Sequence, residues 1–216
     1  MKLAVIVPYR DRASHLAEFI PLLREELFAQ GIEFEIFVVE QSAAGPFNKG
    51  RCCNVGFALT SGFDWHCFHD VDLVPIEDSD YSWPVWPTRV IYLSSKNDYQ
   101  QLDGGNLGGV CLFQPQHYRL INGFSNNFWG WGCEDNQLSW RCTAVGLKIN
   151  RRRGVFRHLP DERLADMSHY EENLAYLSDP QEYASDGLSS LEYELLEHDK
   201  GEVYTRFLVS FDDFPD

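Results

Sequence analysis

The 216-residue chain lacks several features that would each indicate a function class. Its six cysteines form no CxxC pair, which argues against a cysteine-type zinc site, and we expect the thiols to be reduced. No apolar run approaches the roughly 20 residues of a membrane span, and no signal sequence precedes the first apolar segment. We therefore expect a cytoplasmic protein without a membrane span.

Basic residues are also scarce. The chain has 18 Lys and Arg against 33 Asp and Glu, a formal net charge of -15. A general nucleic-acid binder carries a basic stripe, whereas the densest basic run here is only the three arginines at 151–153. We expect no nucleic-acid partner. The acids concentrate after Asp161, which predicts a solvated acidic face in the C-terminal quarter.

The first third of the chain has the pattern of an α/β protein. Apolar runs at 2–8 and 34–40 predict buried strands, and helical spacing of apolar residues covers 13–30 and 49–60. A third short strand starts at Trp65 and leads into acids. The resulting β-α-β-α-β order is the signature of a parallel sheet with right-handed crossovers.

The later segments are less regular. Residues 76–103 are rich in Pro, Trp and Asp and are expected to form a long excursion, after which 108–115 regain strand character. Residues 134–146 predict a helix with acids in its first turn, where the helix dipole favours them. Residues 188–211 predict one or two further strands.

Polar segments follow all three early strands, at the edge where open parallel sheets bind ligands. After the third strand, Asp70 and Asp72 are two residues apart, so in a regular strand their side chains would point to opposite sides. One carboxylate could then hold Mg²⁺ or Mn²⁺ and the other a loop or a sugar hydroxyl. So short a motif also occurs as two loop aspartates that cap a turn.

Two more segments at this edge suit a nucleotide. Arg10 and Arg12 offer bidentate contacts to phosphate, and the alternative is a charged surface patch that begins a helix. In FNKG, Phe47 could stack, Asn48 could hydrogen-bond a base or ribose and Lys49 could reach a phosphate. The alternative there is an ordinary Gly-rich turn.

The stretch FWGWGCEDNQLSWR, residues 128–141, sets tryptophans among glycines and follows them with Glu134 and Asp135. Flat rings suit the apolar faces of sugars, and an acid beside them could act as a general base on a hydroxyl. The alternative is a core turn anchored by Trp and followed by a helix. His158 could ligate a metal or could be a hydrogen-bonded structural residue.

Together these motifs resemble the β-1,4-galactosyltransferases and their relatives, glycosyltransferase family 7. The matching segments, in chain order, are VIVPYRDR, IFVVEQ, FNKGRCCNVGF, DVDLVP, LGGVCLF, INGFSNNFWGWGCEDNQLSWR, FRHL and SDGLSSLEY. HDVDLVP and FRHLPD are most similar to the branch that adds galactose to xylose. The animal enzymes carry a Golgi membrane anchor, so this chain is expected to be a compact bacterial or viral relative.

The resemblance implies a GT-A fold, with a mixed, mostly parallel central sheet flanked by helices, that uses a UDP-sugar, a saccharide acceptor and Mn²⁺, with Mg²⁺ as the alternative ion. Asp135 matches the catalytic base, and Asp72 and His158 match metal ligands. The residues that match the donor site are Pro8, Arg10, Arg12, Phe47, Asn48, Lys49, Asp70, Val71, Gly109, Trp131 and Glu134. Trp131 matches the acceptor site, and Asn136 stands there in place of the Asp that holds the acceptor in the family, which leaves the identity of the acceptor open. We expect one domain over 1–216, with a nucleotide-binding half at 1–75 and an acceptor and catalytic half at 104–216.

Several positions depart from the family pattern. Family metal sites are completed by a Met or a second His, but Val155 and Pro160 stand at those positions, so water or an acid such as Asp161 is expected to complete the shell. Lys49 replaces an Arg and keeps the charge without the fork. Asn106 stands where a larger Tyr restricts the donor to galactose, which predicts that UDP-GalNAc is accepted as well as UDP-galactose.

Two alternatives from other classes use the same residues. A metal-dependent hydrolase of nucleotide sugars would use the same carboxylates with water as the acceptor. A catalytically silent module would bind UDP or a sugar without turnover, although such a module has no need of the Glu134–Asp135 pair.

Overall fold

The predicted β-α-β-α-β order is present and continues into a larger mixed fold. The structure is a computed structural model, which describes residues 1–43, 45–91, 106–160, 167–178 and 183–211. The strands are β1 (Lys2–Tyr9), β2 (Glu33–Gln41), β3 (Trp65–His69), β4 (Leu73–Glu77), β5 (Thr88–Ile91), β6 (Val110–Phe113), β7 (Asn150–Arg153), β8 (Val155–His158), β9 (Glu194–Lys200) and β10 (Thr205–Ser210). The helices are α1 (Ala13–Ala29), α2 (Lys49–Leu59), α3 (Pro115–Leu120), α4 (Glu134–Ala144) and α5 (Tyr170–Ser178), with a 3₁₀ turn at Leu188–Ser190.

The central sheet has eight strands in the order β7-β5-β6-β3-β1-β2-β10-β9. The pairings of β1 with β2, β1 with β3, β2 with β10 and β5 with β7 are parallel. Strands β6 and β9 add antiparallel pairings, and β4 and β8 form a separate two-stranded sheet. This is the mixed, mostly parallel sheet that the sequence indicates.

Strand β1 lies at the centre because both of its faces are apolar. Leu3, Val5 and Val7 pack on the side that carries α1, whose apolar stripe faces them. Ala4 and Ile6 pack on the other side, against α2. Burial on both faces explains the continuous apolar run, which is typical of a central parallel strand. The carboxyl ends of β1, β2 and β3 consequently meet at one edge.

Helix α2 approaches β1 closely because it carries a glycine at the contact. A Cβ atom on Gly56 would lie 2.4 Å from Cγ2 of Ile6, which leaves no room for a side chain. Nearly every residue of α2 is buried. The helix is therefore fixed against the sheet, and its first residue, Lys49, is fixed with it.

Six elements were not predicted as such: β4, β5, β7, β8, α3 and α5. Strand β5 lies inside the expected excursion, and residues 92–105 of that excursion lie outside the described residues. Strands β4 and β8 pair with each other across about eighty residues of chain. Short strands of this kind are stabilised by a distant partner, so local periodicity carries little sign of them.

The remaining expectations concern thiols, exposure and membrane spans. All six cysteines carry free thiols, and Cys133 alone among them is not buried. Strand β9, with its acids, is exposed along its whole length, as expected for the acidic C-terminal quarter. Among the described residues, no helix is both long and apolar enough to cross a bilayer.

Candidate active site

Asp70 and Asp72 lie in a turn and not in a regular strand. Strand β3 ends at His69, and the N–H of Leu73 donates to the carbonyl of Asp70 at 3.3 Å to close the turn. The regular strand that would point the two side chains to opposite sides has therefore ended before Asp70. In the turn, each acid has its own partners. Asp70 faces Lys49, and Asp72 faces Arg12 and His158.

The β4–β8 pairing brings His158 to this turn. Leu73 is the register partner of His158, and the N–H of Leu159 donates to the carbonyl of Asp72 at 2.7 Å. His158 Nε2 lies 3.5 Å from Asp72 Oδ2, and Arg12 Nη1 lies 3.0 Å from the same oxygen. Three residues far apart in sequence thus meet at one carboxylate.

The electrostatics of this group suit a divalent cation. Burial raises the pKa of Asp72, but the hydrogen bond from His158 and the charge of Arg12 outweigh it and hold the pKa at about 2. The carboxyl is therefore ionised at neutral pH. The hydrogen bond to Asp72 raises the pKa of His158. A carboxylate oxygen and an imidazole nitrogen are both ligands that Mn²⁺ accepts.

The spacing of the two ligands also fits one shared ion. Two ligand atoms about 2.1 Å from an ion lie roughly 3.0 Å apart at a right angle and further apart at wider angles. The 3.5 Å between His158 and Asp72 falls in that range. Within the described residues, no group of three His, Cys, Asp or Glu side chains is placed to hold a metal. Asp161, the expected additional ligand, lies outside the described residues.

A second cluster, which we call the Lys49 cluster, consists of Lys49, Asp70, Glu134 and Asp135. Lys49 Nζ lies 3.1 Å from Asp70 Oδ1, 3.3 Å from Glu134 Oε1 and 3.1 Å from Asp135 Oδ2. The lysine begins α2, the two acids begin α4, and Asp70 follows β3. One ammonium group thus joins three segments at the edge of the sheet.

The Lys49 cluster carries more negative than positive charge. Burial lowers the pKa of Lys49, but the three carboxylates outweigh it and raise that pKa well above the usual lysine value. Burial raises the pKa of each carboxyl, and Lys49 opposes that rise. Acids with raised pKa values in a polar cleft are typical of catalytic sites.

The loop before β6 approaches the Asp135 carboxylate very closely. A Cβ atom on Gly108 would lie 2.6 Å from Asp135 Oδ2, so this position needs glycine. Gly109 has a left-handed backbone, with φ of +82°, and its carbonyl accepts from the N–H of Asp70 at 2.9 Å. The segment therefore holds the Asp70 turn on one side and Asp135 on the other.

The two tryptophans of the Gly-rich stretch differ in environment. Trp129 is 5% exposed, beneath the guanidinium of Arg51 at 4.9 Å from its ring, whereas Trp131 is 54% exposed. The N–H of Gly130 donates to the carbonyl of Phe47 at 2.9 Å, which ties the loop to the α2 entrance. The core-anchor interpretation therefore describes Trp129, and the exposed-platform interpretation describes Trp131.

Helix α5, which the sequence did not indicate, contacts this Trp loop. Asn173 Nδ2 lies 2.9 Å from the carbonyl of Trp129 and 3.3 Å from that of Gly132. The rings of Trp131 and Tyr170 are 5.8 Å apart. An aromatic pair, with Trp131 exposed and Tyr170 partly buried, therefore lies beside the loop that leads into α4.

The residues expected to bind the nucleotide differ in how accessible they are to a ligand. Arg10 lies over the ring of Phe47 at 5.4 Å and donates to the carbonyl of Gly45. Asn48 is fully buried, where it caps α2 through the N–H of Arg51 and donates to the carbonyl of Asn126. Its expected contact with a base or ribose stays a prediction, but the amide has no exposed surface to offer a ligand.

Other predicted residues lie around the same edge. Pro8 is buried at the end of β1, and Val71 is buried in the turn between the two aspartates. Asn136 is exposed on the first turn of α4. The side chain of Asn106 turns back to accept from the N–H of Gly108 at 3.4 Å.

Sequence reasoning missed a buried pair behind the site, formed by Arg141 and Asp186. Arg141 has no exposed surface, and its Nη2 lies 2.9 Å from Asp186 Oδ2. Arg141 follows the buried Gln137 by four residues on α4. Residues four apart lie on the same face of a helix, so this spacing places Arg141 on the buried face of α4. A charged side chain on that face indicates an arginine that needs a carboxylate partner.

Comparisons with known proteins agree with this geometry. Two family profiles match the chain: the N-terminal region of glycosyl transferase group 7 over residues 1–83, and the N-terminal domain of galactosyltransferase over residues 88–170. The chain is 39% identical to human β-1,4-galactosyltransferase 7 over 74% of its own length and 51% of that protein. It is 31% identical to bovine β-1,4-galactosyltransferase 1 over 96% of its own length and 54% of that protein. The chain therefore spans about half the length of these curated relatives.

Solved structures give the same result. The catalytic domain of β-1,4-galactosyltransferase 7 from Drosophila, in complex with xylobiose, superposes with a TM-score of 0.88 at 30% identity and covers 98% of this chain and 94% of that one. A mutant form of it in complex with manganese, UDP-galactose and xylobiose gives a TM-score of 0.83 at 29% identity with the same coverage. The fold is of the GT-A class. Within that class, the chain belongs to glycosyltransferase family 7, the β-1,4-galactosyltransferases and their relatives.

Proposed function

We propose that this chain is an inverting, metal-dependent glycosyltransferase. It moves galactose, or GalNAc, from the UDP-sugar to a hydroxyl of a saccharide acceptor and forms a β-1,4 linkage. The observation that carries the proposal is the meeting of two groups at one sheet edge: the Asp72–His158 pair and the Lys49 cluster, with Asp70 and Asp72 two residues apart in the same turn. A residue pair that can hold an ion beside a candidate base suits sugar transfer from a nucleotide, because the ion stabilises the leaving diphosphate and the base accepts the proton of the acceptor.

The relatives support the identities of donor, ion and acceptor. A structure with a TM-score of 0.83 to this chain holds manganese, UDP-galactose and xylobiose. We infer that Mn²⁺ is the ion here, with Mg²⁺ as the alternative, and that the acceptor is a saccharide. The cytoplasmic location and the two halves at 1–75 and 104–216 stay predictions from the sequence.

In the proposed reaction, Asp135 is the general base. Its carboxylate accepts the proton of the acceptor hydroxyl while that oxygen attacks the anomeric carbon, and the bond from that carbon to the UDP oxygen breaks on the opposite face. Asp135 sits at the start of α4, behind the exposed ring of Trp131. Glu134 and Asn136 flank it, and we assign Glu134 to the donor sugar and Asn136 to the acceptor.

The charge that develops on the departing UDP needs cationic partners. Asp72 and His158 would hold the divalent ion, which supplies positive charge to the diphosphate when bound. Arg10 and Arg12 at the end of β1 add two guanidinium groups, which suit phosphate oxygens. Phe47, which packs beneath Arg10, would contribute a ring face to the uridine.

Exposure of Trp131 fits a loop that covers a bound donor. Gly130 and Gly132 adopt left-handed backbone angles, with φ of +69° and +100°, on either side of Trp131. We propose that the loop closes over the sugar diphosphate, and that ordering it costs roughly 1 kcal/mol per residue, which donor binding offsets.

The test is UDP release by the purified protein with Mn²⁺ and a panel of UDP-sugars, with and without xylosides, N-acetylglucosaminides and galactosides. Release that depends on one donor and rises with one acceptor would establish the transfer and identify both sugars. Turnover with UDP-galactose alone would overturn the GalNAc expectation for Asn106. Release indifferent to every acceptor would favour the hydrolase, and UDP binding without release would favour the silent module.

Asp135→Asn tests the assignment of the base. Turnover is expected to fall by at least about 100-fold, the lower end of what a general base usually contributes. UDP affinity is expected to stay nearly unchanged. Asp78→Asn is the matched control, because Asp78 is 67% exposed beyond the far end of β4. Full turnover by Asp135→Asn would refute the role of this carboxylate.

A further inference from the structure

Lys49 is held in a fixed position on the candidate base. It is the first residue of α2, directly after the buried helix cap Asn48, and its side chain is 17% exposed. Both oxygens of Asp135 lie within hydrogen-bond distance of its ammonium group, at 3.1 and 3.2 Å. The lysine therefore contacts the carboxylate that the proposed reaction needs, and it does so from a helix fixed to the sheet.

The ammonium group has no donor left for a phosphate in this arrangement. A lysine ammonium carries three N–H donors, and three carboxylates, one each from Asp70, Glu134 and Asp135, surround it at 3.1–3.3 Å. A diphosphate contact would require it to leave one of these acids. Arg10 and Arg12, which the proposed function assigns to the diphosphate, lie at the neighbouring strand end.

We propose that Lys49 is a positioning residue, which holds the Asp135 carboxylate in place and in its ionised state, and that it does not bind the donor phosphates. This inference rests on the proposed function, because it assigns Asp135 as the base. Lys49 acts through Asp135 and touches neither the acceptor nor the anomeric carbon.

The surroundings of Asp135 explain why a cation is needed there. The groups that face it are Lys49 from α2, Asp70 from the β3–β4 turn, Glu134 from α4, Arg89 from β5 and Cys111 from β6. Burial and the neighbouring acids favour protonation of Asp135, and the two cations oppose it. Without Lys49, three acids would crowd one small volume, and at least one would hold a proton near neutral pH. A protonated base cannot accept the acceptor proton.

The first experiment compares Lys49→Met with the native protein across pH. The acidic limb of the kcat/KM profile is expected to move up by about one to three pH units, because an opposite charge in contact lowers a carboxyl pKa by that amount. UDP affinity is expected to change by less than about threefold. Lys49→Arg, which keeps the charge, is expected to restore the native profile. Lys148→Met is the matched control, since Lys148 is exposed at the far end of α4.

The opposite pattern would overturn the inference. An unchanged pH profile together with a tenfold or greater loss of UDP affinity in Lys49→Met would assign the lysine to the phosphates. Lys49→Gln, which keeps a hydrogen-bonding group without charge, replaces Lys49→Met if the latter does not fold. An unchanged profile in a folded, uncharged variant would reject the positioning role whatever its UDP affinity.

A second measurement does not depend on turnover. The side-chain carboxyl ¹³C signal of Asp135, assigned through its loss in Asp135→Asn, can be followed across pH in the native protein and in Lys49→Met. Its titration is expected to move to higher pH in the variant. Equal titration curves would overturn the inference even in a protein without transferase activity. Absence of turnover in the native protein would count against the proposed function alone.

Discussion

Two cations, the partly buried Lys49 and the fully buried Arg141, have different partners. Lys49 meets three carboxylates, from Asp70, Glu134 and Asp135. Arg141 meets one carboxylate, from Asp186, and its other donors go to neutral oxygens: the carbonyls of Gly123 and Asp186 and the side chain of Gln137. The Lys49 cluster has more carboxylates than cations, whereas Arg141 and Asp186 form a pair of one cation and one carboxylate.

The difference separates a structural ion pair from a reactive one. Asp186 is further satisfied by the N–H of Asn126 and the hydroxyl of Tyr176, at 2.8 and 2.9 Å. A buried pair with every donor and acceptor matched has nothing left to offer a ligand. The Lys49 cluster has three carboxylates for one ammonium group, and under the proposed function the excess acid serves the acceptor hydroxyl and the donor sugar. Excess charge at a site is thus a better guide to function than burial of charge alone.

Breaking the balanced pair is expected to give the largest change. Arg141→Met leaves Asp186 buried without its cation, which should lower the free energy of unfolding by about 3–5 kcal/mol. Chemical denaturation measures this, and turnover per folded molecule should stay within about threefold of native. Arg157→Met is the control, because its pair with Glu18 is about half exposed and worth at most about 1 kcal/mol.

The double variant Arg141→Met with Asp186→Asn sharpens the point. Removal of both charges removes the unpaired one, so part of the lost stability should return. Equal destabilisation by the single and the double variant would show that the loss of stability comes from lost packing of the Arg141 side chain and not from the unpaired charge of Asp186.

In the Lys49 cluster, a small steric change beside Asp135 should reduce turnover. Gly108→Ala places a Cβ atom where Asp135 Oδ2 now lies, 2.6 Å away, and forces the carboxylate to move. A displacement of about 1 Å can cost about 100-fold in rate, so turnover should fall by that order while UDP affinity is retained. Gly31→Ala is the control for turnover, since nothing lies within 4 Å of its Cβ position and the strain of its left-handed backbone, with φ of +66°, displaces no atom of the Lys49 cluster. Unchanged turnover in Gly108→Ala would show that the base tolerates displacement.

The sequence predicts the first half of the fold well because its elements are defined locally. The two apolar runs and the two helical patterns correspond to β1, α1, β2 and α2 to within one residue at each end. The positions of Asp70 and Asp72 at the sheet edge follow from the same pattern, since carboxyl ends of parallel strands meet. These are properties of short windows of sequence.

What the sequence does not show depends on partners far along the chain. His158 reaches Asp72 only through the pairing of β4 with β8, and neither strand has a strong periodic pattern. Trp129 and Trp131 have nearly the same local sequence, but Arg51 and Phe211 bury the first, and nothing comparable covers the second among the described residues. The sequence suggests that Lys49 contacts a phosphate, because the acids that surround the lysine in the structure come from two other segments of the chain.

The smallest expected effect concerns stability and has opposite signs in the two clusters. Burial raises the pKa of Glu134, so its ionised form is less favourable in the folded protein than in the unfolded chain. Glu134→Gln should therefore raise the free energy of unfolding at pH 7 without metal, by about 0.5–2 kcal/mol. The gain should shrink as pH falls through the raised folded-state pKa of Glu134 and disappear below the ordinary glutamate value of 4.5, where both states are protonated. Asp186→Asn at pH 7 should instead lower stability, because Arg141 loses its only carboxylate among the described residues. Denaturation at pH 7 and pH 4 measures both, and a loss of stability in Glu134→Gln would mean that Lys49 fully compensates the acids around it.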